Sequence, residues 1–179
     1  DLVRSRGLGD VYKRQIYREL TKVEKKIVVS MGDVAGSGGY YISCAADYIF
    51  ANPGTLTGSI GVIMQFPKLM GLMKKLGVAE EVVKSGKYKD ASSIYRNLTP
   101  EERELLQGMI DDVHNQFLEV VLNGRKHKKL TRAQVEEIAD GRLLSGRQAM
   151  EEKLVDELGD LNDAVEYTGK LVGIVGKPR

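Results

Sequence analysis

The segment Ile27-Val28-Val29-Ser30-Met31-Gly32-Asp33-Val34-Ala35-Gly36-Ser37-Gly38-Gly39-Tyr40-Tyr41 passes from an apolar run, through a glycine-rich turn, into an aromatic stretch. Residues 27–31 follow the charged residues 22–26 and read as a buried strand. Gly32-Asp33 turns the chain, and Gly36-Ser37-Gly38-Gly39 leads into a predicted helix over residues 40–46. A serine between glycines, after a strand and at the start of a helix, carries its Oγ on a sharp, exposed turn. Small neighbours let a substrate backbone approach, and helix amides favour a developing oxyanion. That is the logic of a nucleophile elbow, although the letters differ from G-x-S-x-G. Taken alone, the string also fits a glycine-rich turn or a phosphate loop.

Outward from this segment, residues 48–51 read as the next strand, stopped by Asn52-Pro53-Gly54. Residues 59–64 are a further apolar stretch, and residues 67–76 have a helical pattern with Pro67 in the first turn. Residues 80–84 read as another strand. Strands alternating with helices imply a layered α/β core. The second half is helical. Thr99-Pro100-Glu101-Glu102 has capping-box spacing and predicts a helix to about residue 122. Its expected buried face is Leu105, Leu106, Met109, Ile110, Val113 and Phe117. Thr131-Arg132-Ala133-Gln134 offers a second capping box, Ser145 caps a third helix, and residues 161–171 form a fourth. Gly141 and Gly159 punctuate them.

With 179 residues, 42% hydrophobic and 29% charged, the chain suits one globular domain and excludes collagen, coiled coil and disordered tail. Its apolar runs are shorter than a membrane span, and no signal peptide is evident, so the chain as written reads as soluble. Cys44 is the only cysteine, which rules out an intrachain disulfide and predicts a buried, inert thiol. Residues 5–15, SRGLGDVYKRQ, match the translated end of a transposon-based sequencing adapter. Residues 1–15 are therefore set aside from the fold, leaving residues 16–179 as the expected domain. The segment holds Arg4, Arg6, Lys13 and Arg14 against Asp1 and Asp10. The rest of the chain then balances in charge, and no nucleic-acid footprint is expected.

A serine nucleophile needs a base. His114 falls inside the long predicted helix, and His127 lies in the polar run Arg125-Lys126-His127-Lys128-Lys129, which disfavours a Ser-His-Asp triad. His127 reads as solvated and His114 as structural or surface. A lysine can serve instead if burial keeps it neutral. Lys84-Ser85-Gly86-Lys87-Tyr88-Lys89-Asp90 supplies three candidates, though most lysines are simply solvated. The histidines lack metal spacing, no Walker A string occurs, and no G-x-G-x-x-G stands in a dinucleotide context. No cofactor and no metal are expected.

GDVAGSGGYYISCAADYIFANPGTLTGSIGV resembles the nucleophile region of signal peptide peptidases of type A, peptidase family S49, and VVKSGKYKDASS resembles that family's lysine segment. The likeness extends from about residue 27 to residue 161 and includes GRLLSGRQAMEEKLVDELG. By motif position it makes Ser37 the nucleophile, Lys89 the general base, and Ser59 the residue that orients the lysine amine. The backbone N–H of Gly38 becomes one oxyanion donor. The second donor is expected upstream of Ile16, outside this sequence, as is an amino-terminal membrane anchor. Lys84 and Lys87 are expected to be solvent-facing or structural, and Asp33 and Asp90 to have no chemical role.

The resemblance implies a crotonase-like or Clp-protease-like α/β fold with parallel strands, flanking helices and a helical C-terminal half. It implies a serine endopeptidase acting on cleaved signal peptides and other extended apolar peptides. Its partners would be peptide substrates and further copies in a homo-oligomeric ring, anchored to the bacterial cytoplasmic membrane with the catalytic domain on the extracytoplasmic side. Competing readings are a SohB-like or phage-type member with another substrate, an acyl-CoA-binding crotonase relative, and a catalytically incomplete assembly domain.

Overall fold

The computed structural model describes residues 10–174. The described residues form two compact units, one from residues 10–61 with 115–174 and one from Val62–His114.

In the first unit, β1 (Val28–Met31) pairs in parallel with β3 (Tyr48–Ala51), and β3 pairs in parallel with β6 (Glu157–Leu158). A second small sheet joins β2 (Val34–Gly36) in parallel to β4 (Leu56–Gly58), with β5 (Leu143–Ser145) antiparallel on the far side of β4. β3 lies at the centre of its sheet, and Ile49, Phe50 and Ala51 are all buried, as an uninterrupted apolar run demands. The strands expected at residues 27–31 and 48–51 are thus found. The sequence reading missed β2, whose Val-Ala-Gly letters look like a turn and whose three residues show no periodicity.

Helices flank these sheets. α1 (Asp10–Leu20) runs without a break across the Gln15–Ile16 boundary. α2 (Gly38–Ser43) follows Ser37, and α5 (Arg132–Ile138), α6 (Gly146–Glu151) and α7 (Leu161–Leu171) follow in the C-terminal part. Thr131 with Gln134 forms an expected capping box, Ser145, expected only as a cap, forms a full box with Gln148, and Asp160 with Asp163 forms a further one that was not expected. The core gathers Tyr40, Ile49, Phe117, Val121, Val135 and Leu154.

One buried ion pair braces this unit. Arg125, fully buried, donates from Nη1 and Nη2 to the two carboxylate oxygens of Asp156 at 2.9 and 2.8 Å. Asp156 also accepts from the Ile49 amide at 2.8 Å and stands 2.8 Å from Lys128 Nζ and 3.0 Å from His127 Nε2. Burial pushes the Asp156 carboxyl up, but the bonds from Arg125, His127 and Lys128 outweigh it and hold it well below the usual range. His127 is therefore a partner of Asp156 and not simply solvated.

The second unit is built differently. α3 (Met70–Leu76) is shorter than the pattern over residues 67–76 predicted, and it buries no residue. Residues 80–84 form no strand; Val83 is 96% exposed, and β-branched letters alone do not make a strand without a neighbour to pair with. α4 (Pro100–Gly124) has the predicted start and nearly the predicted end, but its burial shifts toward the C-terminus. Leu105 and Met109 are exposed, Leu106, Ile110 and Val113 are half-buried, and Phe117, Leu118 and Val121 are buried. The helix has a core to face only beyond His114, where it enters the first unit.

Candidate active site

Ser37 leaves β2 and precedes α2 with φ 50° and ψ −111°. A non-glycine residue there is strained, and such strain persists only where the surroundings enforce it. They do so here by hydrogen bonds on both sides. The Ser37 amide donates to the Gly58 carbonyl at 2.8 Å, and its own carbonyl accepts from the Tyr41 amide at 2.8 Å. The sharp strand-to-helix turn expected of a nucleophile elbow is present, with Ser37 half-buried at its tip.

Helix α2 is fixed from below. Buried Tyr40 donates its hydroxyl to the Leu154 carbonyl at 2.9 Å, and the Tyr41 ring packs on Phe117 with centroids 5.1 Å apart. Cys44 at the end of α2 is buried, and burial pushes its thiol up to about 12, in keeping with an inert structural sulfur. The aliphatic part of Lys13 lies beside Gly38: a Cβ on Gly38 would stand 3.7 Å from Lys13 Cδ.

Ser59 is brought next to Ser37 by strand register. β2 and β4 pair Val34 with Leu56, Ala35 with Thr57 and Gly36 with Gly58, so Ser37 and Ser59 leave the two strands together. The spacing between the two serines is the register offset of the parallel pair. Thr57 Oγ1, fully buried, ties the strands by donating to the Ala35 carbonyl at 2.9 Å. Ser59 also has φ 50°, follows Gly58 at φ 70°, and donates its amide to the Arg142 carbonyl at 2.8 Å. Gly36 keeps this junction close, because a Cβ there would stand 3.4 Å from the Ser59 Cβ and press on Leu143 Cδ2 at 3.3 Å. Ser37, Gly38 and Ser59 therefore share one end of the parallel β2–β4 pair.

Lys89 belongs to the second unit, in a turn where its amide donates to the Gly86 carbonyl at 3.2 Å. It is exposed, in contrast to the burial expected of a neutral lysine base. Its neighbours are heavily engaged. Asp90 Oδ1 accepts from Lys84 Nζ at 2.5 Å, and Oδ2 accepts from Arg96 Nε at 2.9 Å. Arg96 Nη2 donates to the Asp90 carbonyl at 3.1 Å, and its guanidinium also grips the buried Glu102 through Nη1 at 2.7 Å and through Nη2. Glu102 Oε2 accepts from the Thr99 amide at 2.9 Å, completing the expected cap of α4. Hydrogen bonds from Arg96 and from the Thr99 backbone draw the Glu102 carboxyl down to about 2, and those from Arg96 and Lys84 hold Asp90 well below the usual range. The sequence reading gave Asp90 no role and did not single out Arg96 or Glu102. The signal available was the acid-base-acid order Asp90, Arg96, Glu102 running into a capping box.

Lys84 is structural, its amine held by the Asp90 carboxylate and the Lys87 carbonyl, and Lys87 is exposed with its amine 5.1 Å from the Tyr88 ring centroid. Asp33 is exposed and contributes its carbonyl to the Leu56 amide. His114 Nε2 is buried without a hydrogen-bond partner. Among the described residues, no helix is long and apolar enough to cross a membrane, and no group of three His, Cys, Asp or Glu side chains could hold a metal ion.

The model of peptidase family S49 matches residues 19–174. The chain is 45% identical over 166 residues to slr0021 of Synechocystis sp., a protein named as a protease, covering 92% of this chain and 59% of that one. It is 39% identical over 171 residues to an Enterococcus faecium protein named as signal peptide peptidase SppA, covering 94% and 49% respectively. The chain thus spans about half the length of the curated relatives it matches. Among solved structures, the 1510-N membrane-bound stomatin-specific protease is similar in fold, with a TM-score of 0.53 at 13% identity, over 88% of this chain and 62% of that one. A family match across nearly all the described residues, on a fold with the expected α/β layers, makes this chain a member of peptidase family S49.

Proposed function

We propose that the chain is the catalytic part of a serine endopeptidase in which Ser37 attacks and Lys89 is the base. The observation that carries this reading is the strained backbone of Ser37 at a strand-to-helix turn, aligned by register with Ser59. In the proposed reaction, Ser37 Oγ adds to the scissile carbonyl as its proton passes to the neutral Lys89 amine. Ser59 accepts from and orients that amine, as the third member of a triad orients the base. The Gly38 N–H donates to the developing oxyanion. Collapse of the tetrahedral adduct breaks the C–N bond, and the lysine ammonium returns its proton to the leaving amine. Water then attacks the acyl-enzyme as Lys89 takes its proton. Collapse breaks the ester bond to Ser37 Oγ as the ammonium returns that proton to it, which releases the acid and restores Ser37 and the neutral lysine.

Residues 16–179 form the peptidase domain in this reading, with residues 1–15 outside it. The substrates are extended apolar peptides, cleaved signal peptides among them. The working form is a homo-oligomer at the bacterial cytoplasmic membrane, its catalytic domain on the extracytoplasmic side. The exposed apolar side chains of the second unit, Ile63, Leu72, Leu76 and Val83, support an assembled form. Assembly or substrate would also supply the desolvation that an exposed lysine needs in order to act as a base.

The test is cleavage of an apolar fluorogenic peptide by the full-length protein, as wild type, Ser37→Ala and Lys89→Ala, from neutral to alkaline pH. Activity rising with pH in the wild type and absent from both variants supports the dyad. Full activity in Lys89→Ala places the base elsewhere.

A further inference from the structure

We propose that Arg96 is a positioning residue for the base: with Lys84 it neutralises Asp90, the carboxylate beside Lys89, and so keeps Lys89 unpaired. The inference rests on the Ser37–Lys89 reading and adds what tunes the lysine. Its ground is geometry. A carboxylate next in sequence to a base is a hazard, because an ion pair between them would favour the charged amine, which cannot accept a proton. Here each Asp90 carboxylate oxygen is occupied from another direction, Oδ1 by Lys84 and Oδ2 by Arg96. Lys89 itself makes no ion pair among the described residues.

The charged groups facing Asp90 are Lys84 from its own loop, Arg96 from the loop that follows, and, across the guanidinium, Glu102 from α4. Around the turn of Lys89 stand Lys87 and Asp90, with Glu101 of α4 influenced by Lys87. Arg96 is suited to this task where a lysine would not be. Its planar fork serves Asp90 through Nε and Nη2 while Nη1 and Nη2 serve Glu102, so one side chain fixes the Asp90 carboxylate to the first turn of α4.

The experiment measures kcat and KM against pH for the full-length protein with an apolar fluorogenic peptide. The variants are Arg96→Ala, Asp90→Asn, their double mutant, and Lys89→Ala, each checked by thermal melting. Freeing Asp90 in Arg96→Ala should move the alkaline-going limb of kcat up by about one pH unit. That is a loss of about tenfold in kcat on the limb, with KM changed less than about twofold. In the Asp90→Asn background, removing Arg96 should move the limb by less than about 0.3 unit, because no carboxylate is left to capture the lysine. If Arg96→Ala fails to fold, Lys84→Ala tests the same point, with an upward shift of roughly half a unit.

An unmoved limb in a folded Arg96→Ala, with Lys89→Ala inactive, overturns the inference and leaves the dyad standing. So does a loss that Asp90→Asn does not relieve, since that marks a purely structural arginine. Full activity in Lys89→Ala overturns the dyad itself and this inference with it.

Discussion

The unit that holds Ser37 buries a continuous apolar core, with Ile49, Ala51, Phe117, Val121 and Leu154 almost without exposure. In the unit that holds Lys89, only Ala91 and Glu102 among residues 62–114 are buried, while Val83 and Ile63 are 96% and 75% exposed. The difference shows in how each candidate catalytic residue is held. Ser37 is positioned by strand register, a buried tyrosine hydroxyl and aromatic packing, all of which depend weakly on pH and salt. The Lys89 turn is held by ion pairs among Lys84, Asp90, Arg96 and Glu102. The nucleophile therefore rests on packing, and the proposed base rests on charge.

The sharpest way to break this contrast is within α4, which carries residues of both units. Phe117→Ala should cost about 3–5 kcal/mol, because it empties a site in the core beneath Tyr41. Met109→Ala, two turns earlier on an exposed position, should cost less than about 1 kcal/mol. Denaturant unfolding of both variants checks this, and equal losses would erase the distinction between the units. An effect of similar size is expected from Arg125→Met. It leaves the buried Asp156 without its bidentate partner and should cost about 3 kcal/mol by calorimetry.

A smaller, pH-coded effect is expected from the charged clamp. The carboxyls of Asp90 and Glu102 are lowered in the folded chain, so their stabilisation is complete above the ordinary carboxylate range. It is lost as pH falls from about 4 toward about 2. Glu102→Gln should therefore lower the melting temperature at neutral pH and flatten its fall with acid, as a pH series of melts would record. The smallest effect is expected at Val83→Ser, within about 0.5 kcal/mol of wild type. If the second unit is covered in an assembly, this variant should change the sedimentation profile while leaving the melting temperature in place.

The sequence was most legible where a local rule had a local cause. The capping box at Thr131, the cap at Ser145, the strand at residues 48–51 and the start of α4 at Pro100 each follow from nearby letters. The motif Gly36-Ser37-Gly38 announced a sharp turn because small residues flank a serine between a strand and a helix. What failed was whatever depends on a distant partner. Residues 80–84 have strand letters and no strand to pair with, and β2 has few such letters but is made a strand by β4. The face of α4 was misplaced because periodicity gives the stripe but not the length over which a core lies beneath it. His127 looked solvated because Asp156, its partner, is 29 positions away. Arg96 was passed over for the same reason: its importance lies in joining Asp90 to Glu102.

The most direct test of the central claim is covalent. The full-length protein would be treated with a fluorophosphonate, and the modified residue mapped by mass spectrometry in wild type and Lys89→Ala. Phosphonylation of Ser37 in the wild type, slowed at least about a hundredfold without Lys89, is the outcome expected of a serine activated by that lysine. Modification at another serine, or undiminished labelling of Ser37 in Lys89→Ala, would contradict it.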